Sequence, residues 1–197
     1  MHDDGPSVSR AAELADAVER LHQAKVTSDV PKESFDLPFM SELAWAVDRA
    51  LDGDACGGPL GVPLSRLVSN NRLLIESWRR QIIAVQRKAR DIGDAEFVLT
   101  HAGPGQDNVL IDREGRLRLL DWGALMWAPP ERDYRSLRNT GIAVRGRSEI
   151  ERFFLLWWVL SEVAEDVDRF VQPHIGDDAA VPRRRQPTQT PWLVRRD

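Results

Sequence analysis

Cysteine is all but missing from this chain: Cys56 is the only one in 197 residues, so no intrachain disulfide can form. A reducing cytosol is the compartment that fits, and a cytoplasmic protein is expected. Lysine is scarce as well. Lys25, Lys32 and Lys88 are the only lysines among 27 basic residues, a skew towards arginine that carries little functional information. An excess of charge of one sign is lacking, and the net charge of -4 gives no electrostatic reason to expect nucleic acid or an anionic membrane as partner. Long apolar runs are absent too. The most apolar stretch, Phe153 to Leu160, falls well short of the roughly 20 residues that span a bilayer. Met1 to Pro6 has no basic segment leading into an apolar one, which predicts no secretory leader. No internal repeat is visible.

What is present suits a soluble globular protein, with 42% hydrophobic and 29% charged residues on a length that fits one domain, or one with a small appendage. Leu14, Val18 and Leu21 make one stripe of a first helix, capped by Ser7 or Ser9 and running to about Lys25. Thr27 to Pro38 reads as a loop. A second helix follows from Ser41 to Leu51, with Leu43, Ala44, Val47 and Leu51 inward. Gly53 to Pro63 is rich in breakers, and its four glycines invite comparison with a phosphate loop. Such a loop needs a strand before it and a helix or a reaching lysine after it; here a helix precedes and no lysine follows until Lys88, so a connector is expected. Leu64 to about Asp91 is read as one or two long helices, with Leu67, Leu74, Ile75, Trp78, Ile82 and Val85 at helical spacing. Ala128 to Tyr134 is a proline-stiffened loop entering a helix that Asp133 is placed to cap. Ser148 to Val171 is apolar over a wide arc through Phe153, Trp157, Leu160, Val163, Val167 and Phe170, which predicts a deeply packed helix. The organisation expected is a flexible N-terminus over 1–8, a folded domain over 9–172, and a loose polar tail over 173–197 whose arginine run, Arg183 to Arg185, is solvated. About five helices and one hairpin give an α+β chain that is mainly α-helical.

The chain is organised around residues 97–123. Phe97 to Leu99 is a short apolar run and Thr100 to Asn108 a polar loop. Two strands joined at Glu114-Gly115 follow, the second delivering Asp121 into a turn at Gly123. A His opening a loop, an Asn seven residues later and an Asp-x-Gly after the next hairpin are the parts of a kinase catalytic loop and its metal-binding turn. Hard cations prefer oxygen ligands, so the Asn108 amide and the Asp121 carboxylate suit Mg²⁺ held against nucleotide phosphates, the hairpin bringing them together across thirteen residues. A carboxylate early in the loop would orient an acceptor hydroxyl and take its proton, but that position, five residues before Asn108, is Gly103. The plainer alternative is that Gly103, Gly105 and Asn108 build a tight turn and that Asp121-Trp122-Gly123 merely ends a strand. Asp-x-Gly alone says little; His101, the spacing to Asn108 and the intervening hairpin together favour descent from a kinase.

Thr100-His101-Ala102-Gly103-Pro104-Gly105-Gln106-Asp107-Asn108-Val109-Leu110-Ile111-Asp112 resembles the aminoglycoside phosphotransferase and choline kinase family, in which the segment typically reads Thr-His-Gly-Asp-x-x-x-x-Asn-x-Leu-x-Asp. Asp121-Trp122 followed by Ala128-Pro129-Pro130-Glu131-Arg132-Asp133 is similar to the metal-binding Asp and downstream Pro-Pro-Glu-Arg-Asp of one branch. Leu21-His22 resembles the Leu-His that ends the helix after that family's inter-lobe hinge. The resemblance runs from about Ala11 to Phe170, and its specificity lies in residues 97–133. It implies the C-terminal lobe of a protein-kinase-like fold, with a small β-hairpin carrying the metal-site turn. It also implies ATP and Mg²⁺ as cofactors, Asn108 and Asp121 as metal ligands, His101 in the catalytic loop, and a small polar molecule bearing the acceptor hydroxyl. Cationic acceptors in the family are usually held by acids of the helical lobe, which points to Glu162 and Asp166, with Glu165 and Asp168 beside them; acids on a helix are otherwise simply solvated.

Two departures from the family pattern bear on activity. Family members begin with a small sheet-containing lobe that carries a nucleotide-clasping loop and a phosphate-pairing lysine, whereas this chain starts at what would be the hinge. Ala102-Gly103 stands where the family has Gly-Asp or Gly-Glu, and Pro104 and Asn108 stay in register, so no shift restores the carboxylate. Asp107, the nearest acid, directly precedes the metal-ligand position and is a weak substitute. A positioned general base contributes roughly 10²–10⁴-fold, and positioning of the nucleotide contributes more. The expectation is therefore ATP-dependent phosphoryl transfer in the family, weak or absent in this chain. The alternatives are a non-catalytic pseudokinase-type module, whose uncovered hinge face would favour a partner or self-association, and a gene remnant or misplaced start codon with the nucleotide lobe encoded upstream.

Overall fold

The computed structural model describes residues 8–26, 29–52 and 60–171. Along them run helices α1 (Val8–Gln23), α2 (Met40–Leu51) and α3 (Gly61–Arg90), strand β1 (Val98–Thr100), strands β2 (Val109–Ile111) and β3 (Leu117–Leu119), strand β4 (Met126–Ala128), and helices α4 (Glu131–Asn139) and α5 (Ser148–Val171). The N-terminal seven residues, most of the glycine-rich connector (53–59) and the tail from residue 172 lie outside the described residues, and so does Ser7 as a cap. Residues 61–90 form one helix rather than two, and its first turn takes in Gly61 to Pro63, where a proline's missing N–H has no helical partner to lose. The first helix stops at Gln23, two residues short of Lys25, and the second starts at Met40. In α2 the inward positions are Leu43, Ala46, Val47 and Ala50, so Ala44 is displaced from the core by one step of the helical period.

The described residues divide between two compact units, one from Met1–Asp36 and Val85–Phe154, the other from Leu37–Ala84 and Leu155–Asp197. In the first unit, Leu14 and Val18 of α1 bury against Leu137 of α4, flanked by Val109, Leu117, Leu119, Tyr134, Ile142 and Val144. The β2–β3 hairpin supplies three of those flanking residues because strand side chains alternate. Val109 pairs with Leu119 and Ile111 with Leu117, while the Leu110–Arg118 pair between them points the other way. Its turn is locked by Asp112, whose Oδ1 accepts the N–H groups of Glu114 (3.1 Å) and Arg116 (2.8 Å), and Gly115 supplies the φ of +79° that the turn needs. A second antiparallel pair, β1 with β4, was not expected from the sequence, which indicated one hairpin only. Val98 stands opposite Ala128 and Thr100 opposite Met126, and residues 31–33 lie along β4 through Trp127 N–H to Pro31 O (2.8 Å) and Glu33 N–H to Trp127 O (2.8 Å). α4 closes in a Schellman turn, with Ile142 N–H on Leu137 O and Gly141 at φ +84°.

In the second unit, Leu43 and Val47 of α2, Leu64, Val68, Ile75 and Ile82 of α3, and Leu156, Leu160, Val163 and Val167 of α5 are buried. Phe39 meets Trp157 edge to face at 5.4 Å. Among the described residues, no helix is long and apolar enough to cross a membrane.

Candidate functional site

β1 ends at Thr100, whose hydroxyl donates to Met126 O (3.0 Å), and the chain then turns into the loop that opens with His101. The His101 imidazole is buried. Its Nε2–H donates to the carbonyl of Leu120 (2.8 Å), and the ring meets Trp122 edge-on at 4.8 Å between centroids. A carbonyl can only accept, so Nε2 carries the proton; Nδ1 is buried and without a partner. Leu120 in turn donates its N–H to the carbonyl of Asn108 (2.9 Å). One residue at the end of the hairpin thus ties His101 to Asn108, and Asp121 is the next residue along. Asp121 has a left-handed backbone (φ +63°) and an exposed side chain.

The Asn108 side chain folds back over the loop, its Nδ2 donating to Gly103 O (2.9 Å). With the amide nitrogen committed, the amide oxygen is the group left for a cation. Gly103 has an ordinary φ, and a Cβ placed there would meet only the Nδ2 of Asn108, at 3.3 Å. Asp107 is exposed on the short turn before Asn108. Glu162 and Asp166 lie on α5 in the other compact unit, half-buried and buried respectively. The two groups of expected site residues therefore belong to different units.

Asp133 corrects an expectation. It does not cap α4: Pro130 occupies that place, and Asp133 sits in the first turn, fully buried. Its Oδ1 accepts the N–H of Ala102 (2.6 Å), and its Oδ2 accepts the N–H of His101 (3.1 Å) and the Nε2–H of His22 (2.9 Å). Ala102 has φ +77°, a left-handed conformation that favours glycine, which is what the family's Thr-His-Gly has there. The Leu-His and Pro-Pro-Glu-Arg-Asp segments were visible as motifs; nothing in their spacing revealed that they meet beneath the loop.

Beside Asp133, Arg132 donates from Nη1 to Thr100 Oγ1 (3.1 Å) and Ala124 O (2.8 Å), fastening the turn after Asp121 to the end of β1. Burial lowers its pKa, against the pull of Glu33 and Asp133. Glu131 is buried as well. Burial pushes its carboxyl up, but hydrogen bonds from Arg147 Nε (2.7 Å), Nη2 (2.9 Å) and backbone N–H (3.1 Å) outweigh that and hold it below the ordinary range.

Among the described residues no three His, Cys, Asp or Glu side chains gather as a metal cage. Mg²⁺ bound together with phosphates needs only one or two protein oxygens, since phosphate and water complete its octahedron. The Asn108 oxygen and the Asp121 carboxylate, on segments tied through the Leu120 N–H, would offer donors of that kind.

Residues 2–165 match the phosphotransferase enzyme family. Protein StrN of Streptomyces griseus is 41% identical over 153 residues, which are 76% of this chain and 47% of that protein. The crystal structure of spectinomycin phosphotransferase APH(9)-Ia in complex with ADP and spectinomycin superposes with a TM-score of 0.69 at 14% identity, over 85% of this chain and 56% of that one. The AMP-bound complex of spectinomycin phosphotransferase gives a TM-score of 0.64 at 15% identity, over 80% and 58%. This chain spans about half the length of the relatives it matches. At such low identity the two structures show a shared fold, mainly α-helical and kinase-like.

Proposed function

This chain belongs to the phosphotransferase enzyme family, and from that premise we propose that it keeps the metal-and-phosphate corner of a phosphoryl-transfer site while lacking its general base. The observation that carries the reading is the double role of Leu120, whose N–H meets Asn108 and whose carbonyl meets His101, one residue before Asp121. Asn108 and Asp121 would hold Mg²⁺, which when bound supplies the positive charge that neutralises nucleotide phosphates. His101 anchors the end of β3 to the loop, and Trp122, with its Nε1–H on Leu119 O (3.0 Å), fixes the turn on which Asp121 is presented. Gly103 leaves the proton of an acceptor hydroxyl with no carboxylate to receive it. ATP-dependent transfer to a small-molecule hydroxyl is thus the reaction of the lineage, weak or absent in this chain, with Asp107 a poor substitute for the base. The acceptor class is a polar, hydroxyl-bearing molecule, which the spectinomycin bound by the structural neighbour supports. Glu162 and Asp166 are proposed for a cationic acceptor, and the cytoplasm as the compartment.

A second reading, a non-catalytic binding module, draws support from the exposure of Leu110, Leu120 and Trp122 along the same hairpin and turn (43–51% and 44%). The experiment that tests the first reading is an NMR titration of the labelled chain with ATP and Mn²⁺. Paramagnetic broadening centred on the amides of Asn108 and Asp121 is expected. Broadening confined to other acids, or none, would refute a retained metal corner.

A further inference from the structure

The turn that presents Asp121 is built from short pieces. It is entered from the three-residue strand β3 and left through the three-residue strand β4, and residues 121–124 between them are all exposed. Asp121 itself has a left-handed backbone (φ +63°), which few residues besides glycine adopt. The start of the turn is fixed through Leu120, by its bonds to Asn108 and His101. Within it, Leu125 N–H donates to Trp122 O (3.1 Å) and the Trp122 indole donates to Leu119 O (3.0 Å). The far end is held from outside. Arg132, in the first turn of α4, donates from Nη1 both to Ala124 O (2.8 Å) and to Thr100 Oγ1 (3.1 Å). The Thr100 hydroxyl gives its own proton to Met126 O (3.0 Å), so it meets the guanidinium as an acceptor. The end of β1, the turn and the start of β4 thus converge on one nitrogen. A Cβ on Gly123 would lie 3.7 Å from Asp121 Oδ1, so the carboxylate is folded back along this same turn.

We propose that Arg132, anchored on Thr100, is a positioning residue for Asp121: it pins the carbonyl at the far end of the turn and so fixes the direction in which the carboxylate is offered. It acts through the Ala124 carbonyl, and a guanidinium suits the task because its fork reaches two acceptors at once. Its charge is taken out of water there, with Glu33 and Asp133 close enough to offset the cost. Without the brace, the turn keeps its Leu120 end and loses its Ala124 end, and the left-handed residue between them is free to relax. The bearing on cation binding rests on the proposed function; the brace itself does not.

The test is NMR of the full labelled chain as wild type, Arg132→Ala, Arg132→Lys and Thr100→Val, reading amide hydrogen exchange and the Cα and Cβ shifts of Asp121, which report its φ. Arg132→Ala should speed exchange at the Leu125 amide about tenfold, the loss of one hydrogen bond from a charged donor. It should also move the Asp121 shifts towards those of extended backbone. The amides of His101 and Ala102, held by the neighbouring Asp133, and of Asp112, on Arg116 O (3.0 Å) in the hairpin, should keep their protection. Arg132→Lys returns a cationic donor and should recover part of the effect. Thr100→Val leaves the guanidinium without its second acceptor and should give a smaller change at the same places. Unchanged Leu125 exchange and Asp121 shifts in Arg132→Ala would overturn the inference, as would an acceleration shared equally by His101, Ala102 and Asp112. Should Arg132→Ala fail to fold, the other two variants decide, and a turn like that of wild type in both would overturn it. On the proposed function, Mn²⁺ added with ATP and read by electron paramagnetic resonance should bind Arg132→Ala several-fold more weakly than wild type, with Arg132→Lys between them. If wild type binds no Mn²⁺, the proposed function fails, and the exchange rates and shifts still decide the brace.

Discussion

At the scale of single residues, Gly103 and Asp133 set opposite limits on what the loop does. Gly103 has an ordinary φ and room for a side chain, the one near atom being the Asn108 Nδ2 at 3.3 Å, which must give by a few tenths of an ångström. Gly103→Asp should therefore fold, with a thermal melt close to that of wild type. A melt lowered by several degrees would show that the Asn108 side chain cannot give way. Asp133→Asn keeps the shape but aims an NH₂ group at one of three donors, leaving a buried donor unpaired; chemical denaturation should show a loss of about 1–3 kcal/mol. An unchanged midpoint would mean that the carboxylate grips nothing. The contrast between these residues also explains what could be read in advance. His101, Asn108 and Asp121 carry a local spacing that chemistry makes recognisable, whereas Asp133 works through two backbone amides and a histidine 111 residues away, and an acid at a helix start looks like a cap.

At the scale of elements, the link between α4 and α5 leaves no room for a side chain at Gly146. A Cβ on Gly146 would lie 2.5 Å from Glu151 Oε1, 2.8 Å from Glu131 Cγ and 2.8 Å from Tyr134 Cδ2. None of the three can easily withdraw: Glu131 is held by Arg147, Glu151 by Arg138, and Tyr134 packs beside the Leu14–Val18–Leu137 core. Gly146→Ala should lower stability by about 1–3 kcal/mol, the range of overpacked sites, and a thermal melt equal to wild type would contradict that. The same link sets the acid response. Glu131, despite its burial, is held below the ordinary carboxyl range by Arg147, and Glu149 is lowered to about 2, chiefly by its hydrogen bond from Lys88. A depressed carboxyl stabilises the fold above its unfolded pKa and loses that contribution as pH falls through the folded value. Stability should thus decline from about pH 4.5 downwards, with the exposed Glu149 pair adding little and less in high salt. Glu131→Gln should show a shallower decline between pH 5 and pH 3, at about the ordinary Glu range; an identical slope would place the titration elsewhere. Long elements were legible because helical spacing repeats over many turns, as in α3 and α5. The three-residue strand β4 was not, since Met126–Ala128 is too short to show alternation and its partner β1 lies across the whole hairpin.

At the scale of the whole molecule, the chain carries a kinase-like fold, matches its family over residues 2–165, and spans about half the length of its relatives. Its exposed apolar side chains Leu110, Ile111, Leu120 and Trp122 lie on the hairpin and turn that also carry Asp121, so the surface on which a nucleotide or a partner would settle adjoins the proposed cation ligands. The central claim is that the metal-and-phosphate corner survives the loss of the base. Calorimetric titration of the purified chain with ATP, with and without Mg²⁺, tests it most directly. The account predicts saturable heat that requires Mg²⁺ and disappears in Asp121→Ala. No heat at millimolar nucleotide, or heat indifferent to Mg²⁺ and to Asp121, would contradict it.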